Sequence, residues 1–354
     1  MISNRLLTLV RCPECRGEVT RLGDAVGTIA CTRCGRLYRM SGSDFLDMRP
    51  MEQFSEQTKY LDEALHADAR HERVSPPLLG SKIRNDMLRS FLKLEPADLA
   101  IDLGCGSGRT LLWNMDLGAT AVGVDISPFF SEDARREVDL LLGDLRRLPF
   151  ANGTFTKAWS LDVLEHLSPE ALRGMLSEAA RILAPGGALF VYTHVRKNSR
   201  LAVGLRAINA LARQLERANL IDMRQERLRK SDHLNPLADI PELERVARET
   251  GFRIARIRYY TPLVGGFVEN IMMRMAERAL SKRAARRLAA SMPPEQAETV
   301  AIREARMAAK DRIARSPATY TTLRALSFAM KVDVLLFGRV RSGPFFALLV
   351  KDRG

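Results

Sequence analysis

The run LAIDLGCGSGRT, residues 99–110, carries an apolar stretch straight into three alternating glycines, Gly104, Gly106 and Gly108, and then into a helical start. Glycines so placed let the backbone bend sharply and approach a ligand closely. The stretch therefore reads as a strand, a tight turn and a helix. More strands follow at regular intervals. AVGVDIS ends at Asp125, DLLLGDL ends at Asp144, KAWSLDVLEHL ends around Asp162, and GGALFVYTHV follows a turn at Pro185–Gly187. Helical patterns such as SPEALRGMLSEAARIL separate them. Strands alternating with helices predict a parallel, doubly wound α/β sheet that binds its ligand at the strand C-termini. Asp125 follows Gly104 at close to the spacing at which an acid takes ribose hydroxyls in dinucleotide-type folds.

Five motifs in series, IDLGCGSG, VGVDIS, GDLRRLPF, SLDVLEHL and LAPGG, resemble those of the class I S-adenosylmethionine-dependent methyltransferases. The resemblance covers roughly residues 95–260, with a last strand at GPFFALLVKD. It implies a Rossmann-like, mostly parallel seven-stranded sheet and S-adenosylmethionine as cofactor. By position it puts Asp102, Gly104, Cys105 and Gly106 against the methionine part of the cofactor and gives the ribose hydroxyls to Asp125. Ile126 packs on adenine, and Asp144 and Leu145 face its edge. Leu161 and Asp162 line the methionine end and the substrate entrance. A nicotinamide dinucleotide fits less well, because G-x-G-x-x-G requires a glycine where Arg109 stands. The sulfonium already activates the methyl group, so the protein has chiefly to align an acceptor. If that acceptor is a hydroxyl or a carbon, a base helps, and His166, His194 and His233 are the candidates, with Tyr192 beside them.

Cys12, Cys15, Cys31 and Cys34 follow C-x2-C-x15-C-x2-C, the spacing of a four-thiolate zinc site. Four protein ligands close the coordination sphere, so the expected ion is structural Zn2+, and Gly17 and Gly35 are the small residues a tight turn around it needs. The segment resembles the small zinc-ribbon activators of tRNA and protein methyltransferases, here fused to the chain they would otherwise bind. Zinc modules also precede some ribosomal-RNA guanine methyltransferases, where the fourth ligand is typically His and not a cysteine such as Cys34.

Charge is divided unevenly. Residues 1–100 hold 15 Lys+Arg and 14 Asp+Glu, residues 101–195 hold 8 and 12, and residues 196–354 hold 32 and 16, against a net of +13 for the whole chain. The basic half suggests an acidic partner, either nucleic acid or anionic lipid. In its first helix Leu201, Leu205, Ile208, Ala212 and Leu215 share one face, with Arg206, Arg213 and Arg217 nearly opposite. Further on, Leu323, Leu326, Met330, Val334 and Phe337 form a stripe on a helix whose other side is also largely apolar, which requires cover by protein or lipid. Aromatics are 6% of the chain and are almost absent from the Arg-rich stretches, which disfavours single-stranded nucleic acid.

The expected organisation is a zinc ribbon over 1–48, a helical linker over 49–95, a methyltransferase core over 96–262 completed by 342–354, and a helical Arg-rich insertion over 263–341. The expected acceptor is a hydrophobic, lipid-linked or acidic small molecule, with peripheral contact to an anionic membrane. RNA is the second reading, and a non-catalytic partner platform is the third. No apolar run reaches the ~20 residues of a membrane span, and the first residues lack a signal-peptide pattern, so a cytoplasmic protein is expected.

Overall fold

The computed structural model describes residues 3–22, 27–40, 45–50, 74–196, 202–223, 227, 233–260, 263–288, 300, 308–309, 312–313, 315–341 and 343–353. About half of the linker (51–73), much of the Arg-rich stretch between 289 and 314, and Leu201 lie outside the described residues.

The chain opens with a short helix α1 (Asn4–Leu9) and a three-stranded antiparallel sheet, β1 (Val19–Arg21), β2 (Thr28–Cys31) and β3 (Leu37–Arg39). β4 (Leu46–Asp47) then joins the main sheet. Helix α2 (Leu79–Leu92) leads into β5 (Leu99–Leu103), α3 (Arg109–Asn114), β6 (Thr120–Asp125), α4 (Glu132–Glu137) and β7 (Asp139–Leu142). β8 (Phe155–Leu161), α5 (Pro169–Ile182), β9 (Leu183–Thr193), α6 (Val203–Arg217), α7 (Ile240–Glu249) and β10 (Phe252–Tyr259) continue the alternation. Helix α8 runs through Val264–Phe267, one π turn at Val268–Met272, and Met273–Leu288; α9 (Pro317–Phe337) and β11 (Phe345–Lys351) close the fold.

The main sheet has eight strands in the order β10-β11-β9-β8-β5-β6-β7-β4, parallel from β9 to β4, with β11 antiparallel to both its neighbours. The resemblance implies seven strands. The eighth is β4, which pairs with Leu141 and Leu142 at the far edge. So short a strand carries no periodicity of its own; its register comes from the partner it covers. At Pro185–Gly187 the pairing of β9 with β8 jumps from Leu183 to Ala188, with Gly186 at φ +75°, so the expected turn is a break inside a strand. Helix α5 starts where the sequence indicates: Ser168 accepts the Ala171 N–H and Pro169 occupies the first turn.

The N-terminal module shares the apolar core of the sheet. Leu6, Val10, Cys12, Ile29 and Tyr38 belong to one buried cluster with Phe150, Phe155, Leu172 and Met175. Arg11 N–H donates to the Pro149 carbonyl, and Arg16 reaches both the Leu148 carbonyl and Glu178. The C-terminal helices sit on the other face. α9 buries Met330 and Val334 against α2, and polar ties fix it: Ser327 Oγ accepts the Leu79 N–H, Lys331 pairs with Asp86, and Asp333 Oδ2 accepts the N–H groups of Leu263, Val264 and Gly265.

Two patterning expectations change here. Phe337, placed in the buried stripe of α9, is exposed, as are Phe328, Leu335 and Leu336 on the outer face. On α6, Ile208, Ala212 and Leu215 pack with Ile221 and Ile271 of the same chain, so that stripe has a protein partner. No helix of the described residues is long and apolar enough to cross a membrane.

Candidate active site

The parallel strands converge on the loop after β5. Gly104, Gly106 and Gly108 have φ of +81°, +54° and +77°, a region that side chains with a Cβ enter only with strain. A Cβ on Gly104 would meet Val163 at 2.4 Å, whereas one on Gly106 would meet nothing within 4 Å among the described residues. The loop is thus packed on one side and open on the other. The N–H groups of Gly104 and Cys105 both donate to the Val124 carbonyl, which ties the loop to β6.

Asp125 ends β6 beside that loop. Its Oδ2 accepts the Gly106 N–H at 2.7 Å and its Oδ1 accepts the Ser127 N–H at 2.9 Å. Burial raises its pKa, against the pull of those N–H groups. Asp102, buried in β5, is pushed up to about 8, chiefly by desolvation; the Trp159 indole opposes the shift and the Asp125 charge adds to it. Among the described residues the indole N–H has no full hydrogen-bond partner. Cys105 is buried, and burial drives its thiol well above the ordinary range, so it is an inert apolar contact.

The remaining expected cofactor residues lie at the C-terminal ends of the neighbouring parallel strands β6, β7 and β8. Ile126 follows Asp125, and its carbonyl accepts a hydrogen bond from Arg49, whose guanidinium also holds Asp47. Asp144 is buried and held by a bidentate pair with Arg146 at 2.8 Å. Leu145 packs against the core from a partly buried position. Leu161 ends β8, and Asp162 follows with φ +57°, its N–H donating to the Tyr192 carbonyl. Arg84 of α2 reaches Asp162 at 3.7 Å and lies over the Tyr192 ring at 5.3 Å. Burial works against the Arg84 charge, but Asp162, Tyr192, Tyr260 and Glu269 outweigh it and raise its pKa. Sequence reading missed Arg84: it stands far from Asp162 along the chain, in a helix whose pattern explains only its apolar face.

The three candidate bases come together. His166 and His233 rings are edge-on at 4.6 Å, and His194 is 5.3 Å from His233. Glu165 is buried beside them and accepts the Thr193 hydroxyl at 2.9 Å. Burial and the nearby Asp162 charge push it up to about 8. The segment carrying His233 is pinned there: the Asn235 N–H donates to the Glu165 carbonyl and the Arg196 N–H to the Leu237 carbonyl.

A second cluster lies in the N-terminal module. The sulfurs of Cys12, Cys15, Cys31 and Cys34 all fall within 4.8 Å of one another, with Cys12–Cys34 at 3.7 Å and Cys15–Cys31 at 3.4 Å. Those separations are far beyond a disulfide and near the ~3.8 Å edge of a tetrahedron with ~2.3 Å Zn–S bonds. Burial disfavours the Cys31 thiolate, but the N–H groups of Cys34 and Arg33 outweigh it and bring its pKa down to about 7. At the first knuckle it is Arg16, at φ +63°, that takes the left-handed turn; Gly17 is required for room, since a Cβ there would meet Cys31 Sγ at 2.9 Å.

Residues 101–191, the stretch that contains the glycine loop, Asp125 and Glu165, match the family model described as a methyltransferase domain. Over those residues the chain has the pattern of a methyltransferase domain. A probable tRNA methyltransferase 9B of Mus musculus is 35% identical over 118 residues, 32% of this chain and 26% of that protein. The sterol 4-C-methyltransferase strm-1 of Caenorhabditis elegans is 29% identical over 141 residues, 35% of this chain and 41% of that protein. Among solved structures, phosphoethanolamine N-methyltransferase 2 of Haemonchus contortus with S-adenosyl-L-methionine aligns at a TM-score of 0.47 and 16% identity, covering 85% of this chain and 59% of that one. The chain spans less than half the length of the curated relatives it matches. The similarity to these relatives is thus partial, and the cysteine module and helices α8 and α9 lie outside the matched residues.

Proposed function

We propose that the protein transfers a methyl group from S-adenosylmethionine to a hydrophobic small-molecule acceptor. One observation carries this reading: a carboxylate at the end of β6, Asp125, faces a glycine loop with one open side. The fit to the cofactor rests on that cradle and on the donor set. Asp125 would accept both ribose hydroxyls, Ile126 and Leu145 offer apolar contact to adenine, and Asp144, oriented by Arg146, would sit at its edge. Asp102, Gly104, Cys105 and Gly106 would border the methionine part, with Leu161 and Asp162 at its far end. When bound, the cofactor supplies a methyl group already activated by its sulfonium.

The chain's own residues then orient and deprotonate. Arg84 holds the half-exposed Asp162 at the acceptor side, with the buried ring of Tyr192 beneath the guanidinium and that of Tyr260 5.7 Å from it. His166, His194 and His233 cluster after β8 and β9, and one of them would take the proton of an acceptor hydroxyl. The four cysteines would hold a structural zinc, which would stabilise the fold without entering the reaction.

The name of the sterol methyltransferase relative supports a hydrophobic acceptor. The name of the tRNA methyltransferase relative, with the basic C-terminal half, supports RNA as the second reading. The deciding experiment incubates the protein with radiolabelled S-adenosylmethionine and cell extract, then separates lipids, small molecules, RNA and protein. Label in the lipid or small-molecule fraction is expected. Label in RNA alone transfers the assignment to the second reading, and cofactor binding with no labelled product favours a non-catalytic role.

A further inference from the structure

Glu165, His166, His194 and His233 form a cluster with a composition different from that of the cysteine site. One ligand atom from each of Glu165, His166 and His233 lies within 4.8 Å of the others. They arrive from two places in the chain. Glu165 and His166 sit on the one-turn 3-10 helix after β8, and His233 comes from the distant segment before α7. Asn235 N–H to the Glu165 carbonyl, at 2.9 Å, holds that segment against the turn. The Glu165 carboxylate is itself oriented by the Thr193 hydroxyl, the kind of outer partner that fixes a ligating carboxylate. His194 follows Thr193 directly, with its ring beside His233.

We propose that Glu165, His166 and His233 form a second metal centre, an open site for a first-row divalent cation, with His194 at its edge. Two imidazoles and a carboxylate suit zinc, cobalt or iron(II), whereas the four thiolates of the N-terminal module suit a closed zinc site. An ion with ~2.0–2.2 Å bonds spaces tetrahedral ligands ~3.3–3.6 Å apart, within about 1.5 Å of the 4.8 Å limit on these separations. Three protein ligands leave positions open, which is the arrangement of a site that takes an outside ligand. An oxygen donor is the class it would take. On the methyltransferase reading, and resting on it, that donor is the acceptor's own oxygen, held beside Asp162 and the methyl group.

The test uses the full chain with its cysteine site loaded with zinc, titrated with Co2+ and followed by absorption. The expected result is one further equivalent of Co2+ with visible d–d bands and no thiolate charge-transfer band. His233→Ala and His166→Ala each weaken this uptake at least tenfold. Glu165→Gln does the same, with circular dichroism confirming that the buried substitution leaves the fold intact. Acetohydroxamate, a bidentate oxygen ligand, shifts the bands if positions are open; bands that ignore it overturn the open site. Absence of the extra equivalent, or uptake unchanged in both histidine variants, overturns the metal centre. Calorimetry of S-adenosylmethionine on the same samples separates the two readings. Cobalt uptake without cofactor binding leaves the metal site standing and removes the acceptor argument, and cofactor binding without cobalt uptake overturns the metal centre while leaving the methyltransferase reading standing.

Discussion

The two additions to the sheet are attached in different ways. The N-terminal module is built into the core: Cys12, Ile29 and Tyr38 share one buried cluster with Phe150 and Phe155, and Arg16 and Arg11 bond across the junction. The C-terminal helix α9 is docked by one buried edge and three polar ties, while Phe328 and Leu336, each 68% exposed, project from its outer face. One region has its stability fused with that of the sheet, and the other has stability distributed over a few identifiable contacts.

The comparison breaks first at the cysteines. Cys12→Ser, or removal of metal by a chelator, should cost several kcal/mol, because metal binding to such a module contributes directly to folding free energy. Since the module shares its core with the sheet, thermal unfolding should show one transition shifted downward as a whole. A separate low-temperature transition, with the main one unmoved, would mean that the module is an independent appendage.

On the other side, Met330→Ala removes a fully buried side chain between α9 and α2 and should cost about 2–5 kcal/mol in denaturant unfolding.

A finer test uses Glu178, which joins the module to α5. It accepts from Arg16 at 3.0 Å, from Arg181 at 2.7 Å and from the Leu148 N–H at 2.8 Å. Burial works against its charge, but Arg181 and Arg16 outweigh it and lower its pKa from 4.5. A depressed carboxylate contributes stability that is fully present above its unfolded pKa and is lost as pH falls through the folded one. Glu178→Gln should therefore cost about 1.5–3 kcal/mol at pH 7, and the gap to the parent should narrow progressively as the pH drops below about 4.5. A gap that is constant with pH would assign the loss to packing. Leu336→Ser, on the exposed face of α9, should change stability by no more than about 0.5 kcal/mol.

What the sequence reveals follows the same division. The cysteine spacing and the glycine loop are local patterns, and each has one workable geometry: four sulfurs converge on a point, and three glycines take left-handed φ. Asp125 is legible because neighbouring parallel strands bring the end of β6 beside the loop that follows β5. The three histidines could be named as candidates, but not seen as a group, because Asn235 and Thr193 bring them together across distant segments. Arg84, β4 and the choice of Gly17 over Arg16 for room are likewise set by partners far along the chain. Helix α9 shows the limit of periodicity. Its stripe identified Met330 and Val334 correctly, yet gave no sign that Phe337 lies outside the contact with α2.

The central claim is that S-adenosylmethionine is held through Asp125, and calorimetry tests it most directly. The parent protein should bind the cofactor in preference to NAD. Asp125→Ala leaves both ribose hydroxyls without their acceptor and should weaken binding by about 1.5–3 kcal/mol, roughly ten- to a hundredfold. Unchanged affinity in that variant, or preferential binding of NAD by the parent, would contradict it.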